Sequence, residues 1–344
     1  MKKIKYTHKN ILCEYDLSLE FFDELGIKIN DVVPLRKVFI LYTDEGKKIL
    51  KKVNYSVERI NIISDSLEYI KKDYSNVITF NKMKNNLNYI KWKDDIYVIM
   101  DLLEGREASF SNPIEIEICA ENIALLHNAS SGLRKYIKEK YSKDILDISL
   151  KDKFNEAYNN LCELKKIVNG YDYKNEFDVL FIKNVDKYLE EIEKAQDKLE
   201  KSQYNALREC EEKISLCHND LAYHNFLIND RDVSILDFDF MTIDLRVLDI
   251  ADFILKSIKN VAFDISKMML EINSYEKINK LSLEEKYILG ILIEFPRDFY
   301  SIVDDYYHKR KYWDYDVFLN RLIAKLDNDE FRYEFIENYN NILT

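Results

Sequence analysis

The stretch Ile214–Phe240, ISLCHNDLAYHNFLINDRDVSILDFDF, decides how this chain is read. It contains His218-x-Asp220-x-x-x-x-Asn225, and Asp237 follows within Ile235-Leu236-Asp237-Phe238-Asp239. The pattern predicts an apolar lead-in, a polar loop, and a short strand over Asn225–Ile228. A turn at Asn229-Asp230-Arg231-Asp232 and a second strand from Val233 to Leu236 complete it. Asp, Asn and His are ordinary turn residues, and a plain hairpin would explain them one at a time. Taken together they are also the groups that phosphoryl transfer needs. One carboxylate must orient an attacking hydroxyl, while an amide oxygen and a second carboxylate hold Mg²⁺ on the phosphates of ATP.

Kinase catalytic loops use this Asp-then-Asn spacing, with a metal-binding Asp at the end of the next strand. HNDLAYHNFLIND and LDFDF resemble the catalytic loop and metal-binding strand of the aminoglycoside phosphotransferase and choline kinase superfamily. The fuller wording, LCHNDLAYHNFLI and then DFDFMTIDLRVLDIADFI, is similar to one branch of it, the spore coat CotS family of endospore-forming bacteria. The resemblance runs from about Val32 to Tyr339. It implies that Asp220 is the base, that Asn225 and Asp237 are metal ligands, and that ATP and Mg²⁺ are the cofactors. It further implies that Asp249, at the start of an apolar helix, supports the catalytic loop. The same Asp249 is an N-cap candidate by its position. Asp239 either touches a second Mg²⁺ or accepts hydrogen bonds. His218 braces the loop through the backbone, and His224 is left open to face substrate.

Composition bounds the alternatives. The chain has 344 residues, 47% hydrophobic and 33% charged, enough for two lobes with sizeable cores. A net charge of −11 and a pI of about 5.2 argue against nucleic-acid binding by phosphate neutralisation. Six Gly and three Pro leave little linker, so two lobes would share a tight hinge. Cys13, Cys119, Cys162, Cys210 and Cys217 are scattered without a Cys-x-x-Cys pair and read as reduced, buried thiols. MKKIKYTHKN is basic but lacks an apolar signal core, and no run is apolar enough to span a membrane.

Upstream of the loop, Asp16–Leu25 predicts a short helix stopped at Gly26. A hairpin follows, from Arg36–Tyr42 through Asp44-Glu45-Gly46 to Lys47–Val53. In kinase-like folds the lysine after the apolar run on the returning strand reaches the ATP phosphates, which makes Lys51 the candidate. Strand alternation turns Lys52 to the other face. Two solvated edge-strand lysines are the plain alternative. Val57–Lys72 predicts the helix that would pair this lysine, yet Ile63 stands near the place of its glutamate, leaving Glu58 and Glu68 as partners. Val33-Pro34-Leu35-Arg36 stands where a Gly-rich phosphate loop would be. Asn76–Lys93 predicts two more short strands. Ile96–Met100 then runs into Asp101-Leu102-Leu103-Glu104-Gly105-Arg106-Glu107, which looks like the superfamily hinge. There Asp101 and Leu103 would present backbone groups to adenine.

Beyond Pro113 the chain is mostly helical. His127 closes the predicted helix Ile114–His127 and is read as facing its C-terminal dipole. Ile145–Glu212 carries long Lys/Glu-rich helices broken at Asn169-Gly170, with Tyr204 and Leu207 before the catalytic loop, and is a natural place for a substrate lid. Phe295, Tyr306, Tyr307, Tyr312 and Trp313 read as core packing rather than a ligand box.

The reading is therefore α+β: a two-lobed, protein kinase-like (aminoglycoside phosphotransferase-like) fold. It has a nucleotide-binding lobe over 1–100, a hinge at 101–107, and a helical lobe over 108–344 carrying the catalytic loop 216–240. The expected chemistry is transfer of the ATP γ-phosphate to an unidentified hydroxyl acceptor. By resemblance the protein is made in the mother-cell cytoplasm and assembles with other spore coat proteins. Two rivals stand beside this. One is a coat structural protein that keeps the fold without turnover. The other is a cytoplasmic small-molecule kinase for choline, homoserine, thiamine or a sugar.

Overall fold

The computed structural model describes residues 17–35, 38–142, 148–230, 232–258 and 263–343. The MKKIKYTHKN run, Cys13, Asp16, Arg36, Lys37, Ile145 and Arg231 lie outside them. The chain forms two compact units. The first gathers residues up to Ser109 with Lys135–Lys143 and Tyr223–Met241, and the second holds Phe110–Arg134, Asp144–Ala222 and Thr242–Thr344.

In the first unit, helix α1 (Leu19–Leu25) starts at Ser18, whose hydroxyl accepts from the Phe21 N–H at 3.4 Å. It stops at Gly26, φ 74°, a left-handed C-cap that glycine adopts without penalty. A Cβ there would also lie 2.6 Å from that of Lys84. Strands β1 (Ile29–Leu35), β2 (Val38–Thr43), β3 (Gly46–Val53), β4 (Ile90–Trp92) and β5 (Asp95–Asp101) form one antiparallel sheet in the order β1-β2-β3-β5-β4. Phe21, Phe22 and Leu25 bury against Val32, Leu41, Leu50 and Tyr97 of this sheet. Helix α2 (Val57–Ile70) begins at Ser56 and buries Ile60, Ile63, Leu67 and Ile70.

Of the two strands predicted over Asn76–Lys93, only β4 forms. Its partner stretch makes isolated bridges instead, Val77 with Ile235 and Phe80 with Met100. These draw the segment between two sheets and prevent a continuous ladder. The second sheet has the order β6-β8-β9, from β6 (Arg106–Glu107), β8 (Phe226–Asn229) and β9 (Asp232–Ile235). Gly105 is needed where the chain meets this sheet, since a Cβ would lie 3.1 Å from the Ile228 carbonyl.

The second unit is helical: α3 (Pro113–Ala129), α4 (Leu133–Tyr141, crossing into the first unit), α5 (Leu150–Asn169), α6 (Glu176–Lys201), α7 (Tyr204–Glu209), α8 (Val247–Ile258), α9 (Ile265–Glu276), α10 (Leu283–Glu294), α11 (Arg297–Tyr307), α12 (Tyr315–Asp327) and α13 (Asp329–Leu343). A two-stranded ribbon, β7 (Ile214–Cys217) against β10 (Thr242–Leu245), brackets the catalytic stretch. The region anticipated as a natural place for a lid buries one face in the core of this unit. Leu161, Phe177, Phe181 and Tyr188 of α5 and α6 pack with Phe299 and Phe318 of α11 and α12. Tyr188 stacks on Phe299 at 3.7 Å, and Phe177 on Tyr306 at 3.9 Å. The C-terminal aromatics Phe295, Tyr306, Tyr307 and Trp313 are thus packing groups, while Tyr312 is exposed.

One buried carboxyl lowers the stability of this unit at neutral pH. Glu271 in α9 is 1% exposed, and neither carboxyl oxygen meets hydrogen-bond geometry among the described residues. The nearby Lys267 ammonium donates instead to the Phe110 and Ser257 carbonyls, at 2.6 and 2.7 Å. Burial pushes the Glu271 carboxyl up to about 8, and Ser257 and Lys267 offset this only in part. The unfolded carboxyl ionises near its ordinary value and the folded one well above it. The benefit of a neutral buried group is therefore full in acid and is lost as pH climbs towards 8. Glu271→Gln mimics the protonated form at every pH. It should match wild type at pH 4 and unfold with roughly 3 kcal/mol more stability at pH 7. Denaturant titrations at the two pH values check this, and an equal difference at both would show that ionisation is not the cause.

Candidate active site

Local register explains how the Asn225 and Asp237 hairpin assembles. β8 and β9 pair from Phe226↔Ile235 to Asn229↔Asp232, and the Leu236 N–H donates to the Asn225 carbonyl at 2.9 Å. The hairpin thereby brings Asn225 beside the residue that precedes Asp237. Asn225 is buried, and Asp237 adopts a left-handed conformation, φ 65°. Asp tolerates that region better than most residues but not without cost, and such backbone outliers concentrate at functional sites.

Lys51 reaches the same place from β3. Its Nζ lies 2.7 Å from Asp237 Oδ1 and 2.7 Å from Asp239 Oδ2. Burial disfavours its charge, but the Asp239 and Asp237 carboxylates outweigh that and hold the ammonium above its usual pKa. Lys52, next along the strand, pairs with Asp95 at 2.7 Å. The carboxylate partners of Lys51 are thus the two hairpin aspartates, while Glu58 and Glu68 of α2 sit exposed. Helix α2 supplies Arg59 instead, which donates to the main-chain carbonyls of Asp239 (3.2 Å) and Met241. Tyr55 donates to Asp239 Oδ1 at 3.0 Å.

At the hinge expected from sequence, the Asp101 side chain is taken up by Lys48 at 2.9 Å and Asn81 at 3.3 Å. The Lys48 bond is the main reason its carboxyl falls below the usual range. The Leu102 N–H donates to the Lys47 carbonyl at 3.0 Å, and Leu103 follows outside the sheet, 36% exposed.

Asp220 belongs to the second unit, five residues before Asn225 in the chain. Its loop is held by α8. Asp249 lies within that helix rather than capping it, because its two oxygens accept from the His218 N–H (2.6 Å) and the Asn219 N–H (2.7 Å). Burial opposes its charge, but the bond from His127 and the neighbouring donors keep its carboxyl below the usual value. His127 is therefore fixed by side chains rather than by a helix dipole, with Nε2 3.3 Å from Asp249 and Nδ1 2.9 Å from the Tyr275 hydroxyl. His218 Nδ1 accepts from the Asp220 N–H at 3.1 Å. Asn219 takes a left-handed φ of 63°, which Asn accommodates. His224 is exposed, edge-on to Tyr223.

Sequence reasoning missed Tyr55, Arg59, Asp252, Lys256 and Arg297. Asp252 and Lys256 had a signal: they are charged positions, three and seven residues after Asp249, in the mostly apolar VLDIADFILKSI.

The residues fit Mg²⁺ by donor chemistry, since Asn225, Asp237 and Asp239 offer hard oxygens. No cluster of three or more His, Cys, Asp or Glu suited to a metal occurs among the described residues. Mg²⁺ normally takes one or two carboxylates and completes its shell with phosphate and water.

Residues 111–289, just over half the chain, match the profile of the choline/ethanolamine kinase family. This chain belongs to that family. Within the wider superfamily this family member is distantly related to spore coat protein S of Bacillus subtilis, 24% identical over 282 residues that cover 80% of this chain and 78% of the relative. Its fold is that of an aminoglycoside phosphotransferase from Alicyclobacillus acidocaldarius (TM-score 0.79, 16% identity, 94% and 95% of the two chains). It also matches a spectinomycin phosphotransferase solved with ADP and spectinomycin (TM-score 0.61, 16% identity, 94% and 93%). This is the protein kinase-like fold expected of the sequence, an antiparallel sheet followed by a mostly helical region. No described helix of this family member is long and apolar enough to cross a membrane.

Proposed function

We propose that the protein transfers the γ-phosphate of ATP to a hydroxyl acceptor, with Lys51 on the phosphates, Asn225 and Asp237 as Mg²⁺ ligands, and Asp220 as base. The observation that supports this most directly is the meeting of Lys51 with Asp237 and Asp239, each at 2.7 Å. These residues lie 186 and 188 positions apart in sequence. Asp101 and Leu103 would offer backbone groups to adenine. The acceptor oxygen would form a bond to the γ-phosphorus as the bond to the β–γ bridging oxygen breaks, ADP leaves, and the hydroxyl proton passes to Asp220. Bound Mg²⁺ would supply charge neutralisation on the phosphate oxygens. In this reading Lys51 adds a fixed positive charge to the same task and Asp220 orients the nucleophile.

The likeness to spore coat protein S favours a second reading: a coat-associated protein, made in the mother-cell cytoplasm and set among other coat proteins, in which the fold serves assembly.

Calorimetry with ATP, with and without Mg²⁺, separates the two. Phosphotransfer predicts weak binding without metal and at least about tenfold tighter binding with it. Lys51→Met should weaken ATP·Mg²⁺ binding by roughly tenfold or more, the scale of one charge-assisted contact, while Lys52→Met changes little. Binding that ignores Mg²⁺, or none at millimolar ATP, would favour the assembly reading. The reverse ranking of the lysines would reject the assignment of Lys51.

A further inference from the structure

Helix α8 meets the catalytic loop along one face. Asp249, Asp252 and Lys256 are spaced three and four residues apart, which places them one above another on a helix. Asp249 holds the His218 and Asn219 N–H groups, and Asp252 Oδ2 accepts from the Leu221 N–H at 2.8 Å. These contacts fix the main chain on either side of Asp220. Lys256 differs, because its Nζ meets the Asp220 carboxylate itself, 2.6 Å from Oδ1, and braces on Asp252 Oδ2 at 2.7 Å. Arg297 Nη2 closes the chain of charges, 2.8 Å from Asp252 Oδ1.

We propose that Lys256 is a positioning residue for Asp220, fixing the orientation of its carboxylate and keeping it ionised so that it accepts the acceptor's proton. This rests on the reading of Asp220 as base given above. The pair is not a loose surface contact. The Lys256 side chain is 16% exposed and that of Asp220 31%, and an ammonium shared between two carboxylates has little rotamer freedom left to lose. Among the described residues, the charged groups tied to this cluster include Lys256 and Asp252 of α8 and Arg297 of α11, whose guanidinium feels Asp252, Asp298 and Asp220, with His218 in the loop itself. Lys256 contacts the Asp220 carboxylate directly.

The test reads the Asp220 carboxyl without needing an acceptor. In ¹³C-Asp-labelled protein, the Asp220 carboxyl resonance is assigned by its loss in Asp220→Asn and titrated in wild type, Lys256→Met and Lys256→Arg. The proposal expects the midpoint to rise by about one pH unit or more in Lys256→Met, the usual effect of removing an opposite charge at contact. It also expects Lys256→Arg to return it. ATP·Mg²⁺ affinity should hold in both variants, and wherever wild type turns over ATP, kcat should fall roughly ten- to hundredfold in Lys256→Met. Should Lys256→Met fail to fold by circular dichroism, Lys256→Gln takes its place. An unmoved midpoint, or one that Lys256→Arg leaves displaced, overturns the proposal. A midpoint that shifts in Lys256→Met while the wild-type protein fails to bind ATP·Mg²⁺ would uphold the pairing and count against the phosphotransfer reading instead.

Discussion

Asp220→Asn should bind ATP·Mg²⁺ as tightly as the wild-type protein and lose turnover by roughly two to four orders of magnitude, the scale of a positioned acid–base group. The separation follows from where the residue sits. Asp220 is in the second unit, on a loop whose main chain is pinned by Asp249 and Asp252, so replacing its carboxylate with an amide leaves that frame intact. Lys51, Asn225 and Asp237 all belong to the first unit and are untouched. Removing a group that acts only as the hydroxyl attacks phosphorus lowers kcat without weakening the ground-state complex. ATP hydrolysis or self-phosphorylation gives the rate, and calorimetry gives the affinity. Full turnover in Asp220→Asn would remove the base assignment.

Asp237→Asn should lose both quantities, with most of the Mg²⁺-dependent gain in ATP affinity gone, because a metal ligand is lost rather than a supporting group. Asn is the replacement of choice because position 237 is left-handed, φ 65°. Ala there would add about 1–2 kcal/mol of backbone strain and confuse a metal effect with a folding one. The change also leaves Lys51 with Asp239 as its charged partner at 2.7 Å, so the lysine stays near its place. Metal-free ATP binding should therefore change little. Equal losses with and without Mg²⁺ would mean that Asp237 serves the lysine and not the metal.

Much of this site was legible before any tertiary contact was known. The Asp220 and Asn225 spacing, the strand ending in Asp237, and the opposite turns of Lys51 and Lys52 are all local facts. They follow from strand period and turn chemistry. The same kind of reasoning failed over Asn76–Lys93, where hydrophobic pattern suggested two strands. Bridges to Ile235 and Met100 split that segment between partners, and no local signal reports which neighbour a strand will find. It also left open what covers the Lys/Glu-rich helices, because an amphipathic helix reveals that one face is buried but not what buries it. The α5 and α6 stripes are covered by α11 and α12, more than a hundred residues on.

The chain by itself singled out the candidate groups for the proposed chemistry, because the hairpin that holds Asn225 and Asp237 closes over a dozen residues and its register follows from alternation. Tertiary structure alone decided their partners. Lys51 passes over the glutamates of the adjacent helix and pairs with Asp237 and Asp239, and Asp220 finds Lys256 on α8. The physical reason is range. Periodicity specifies a side chain's face within its own element, whereas a charge pair forms wherever packing brings opposite charges within a few ångströms, and that depends on every element between them.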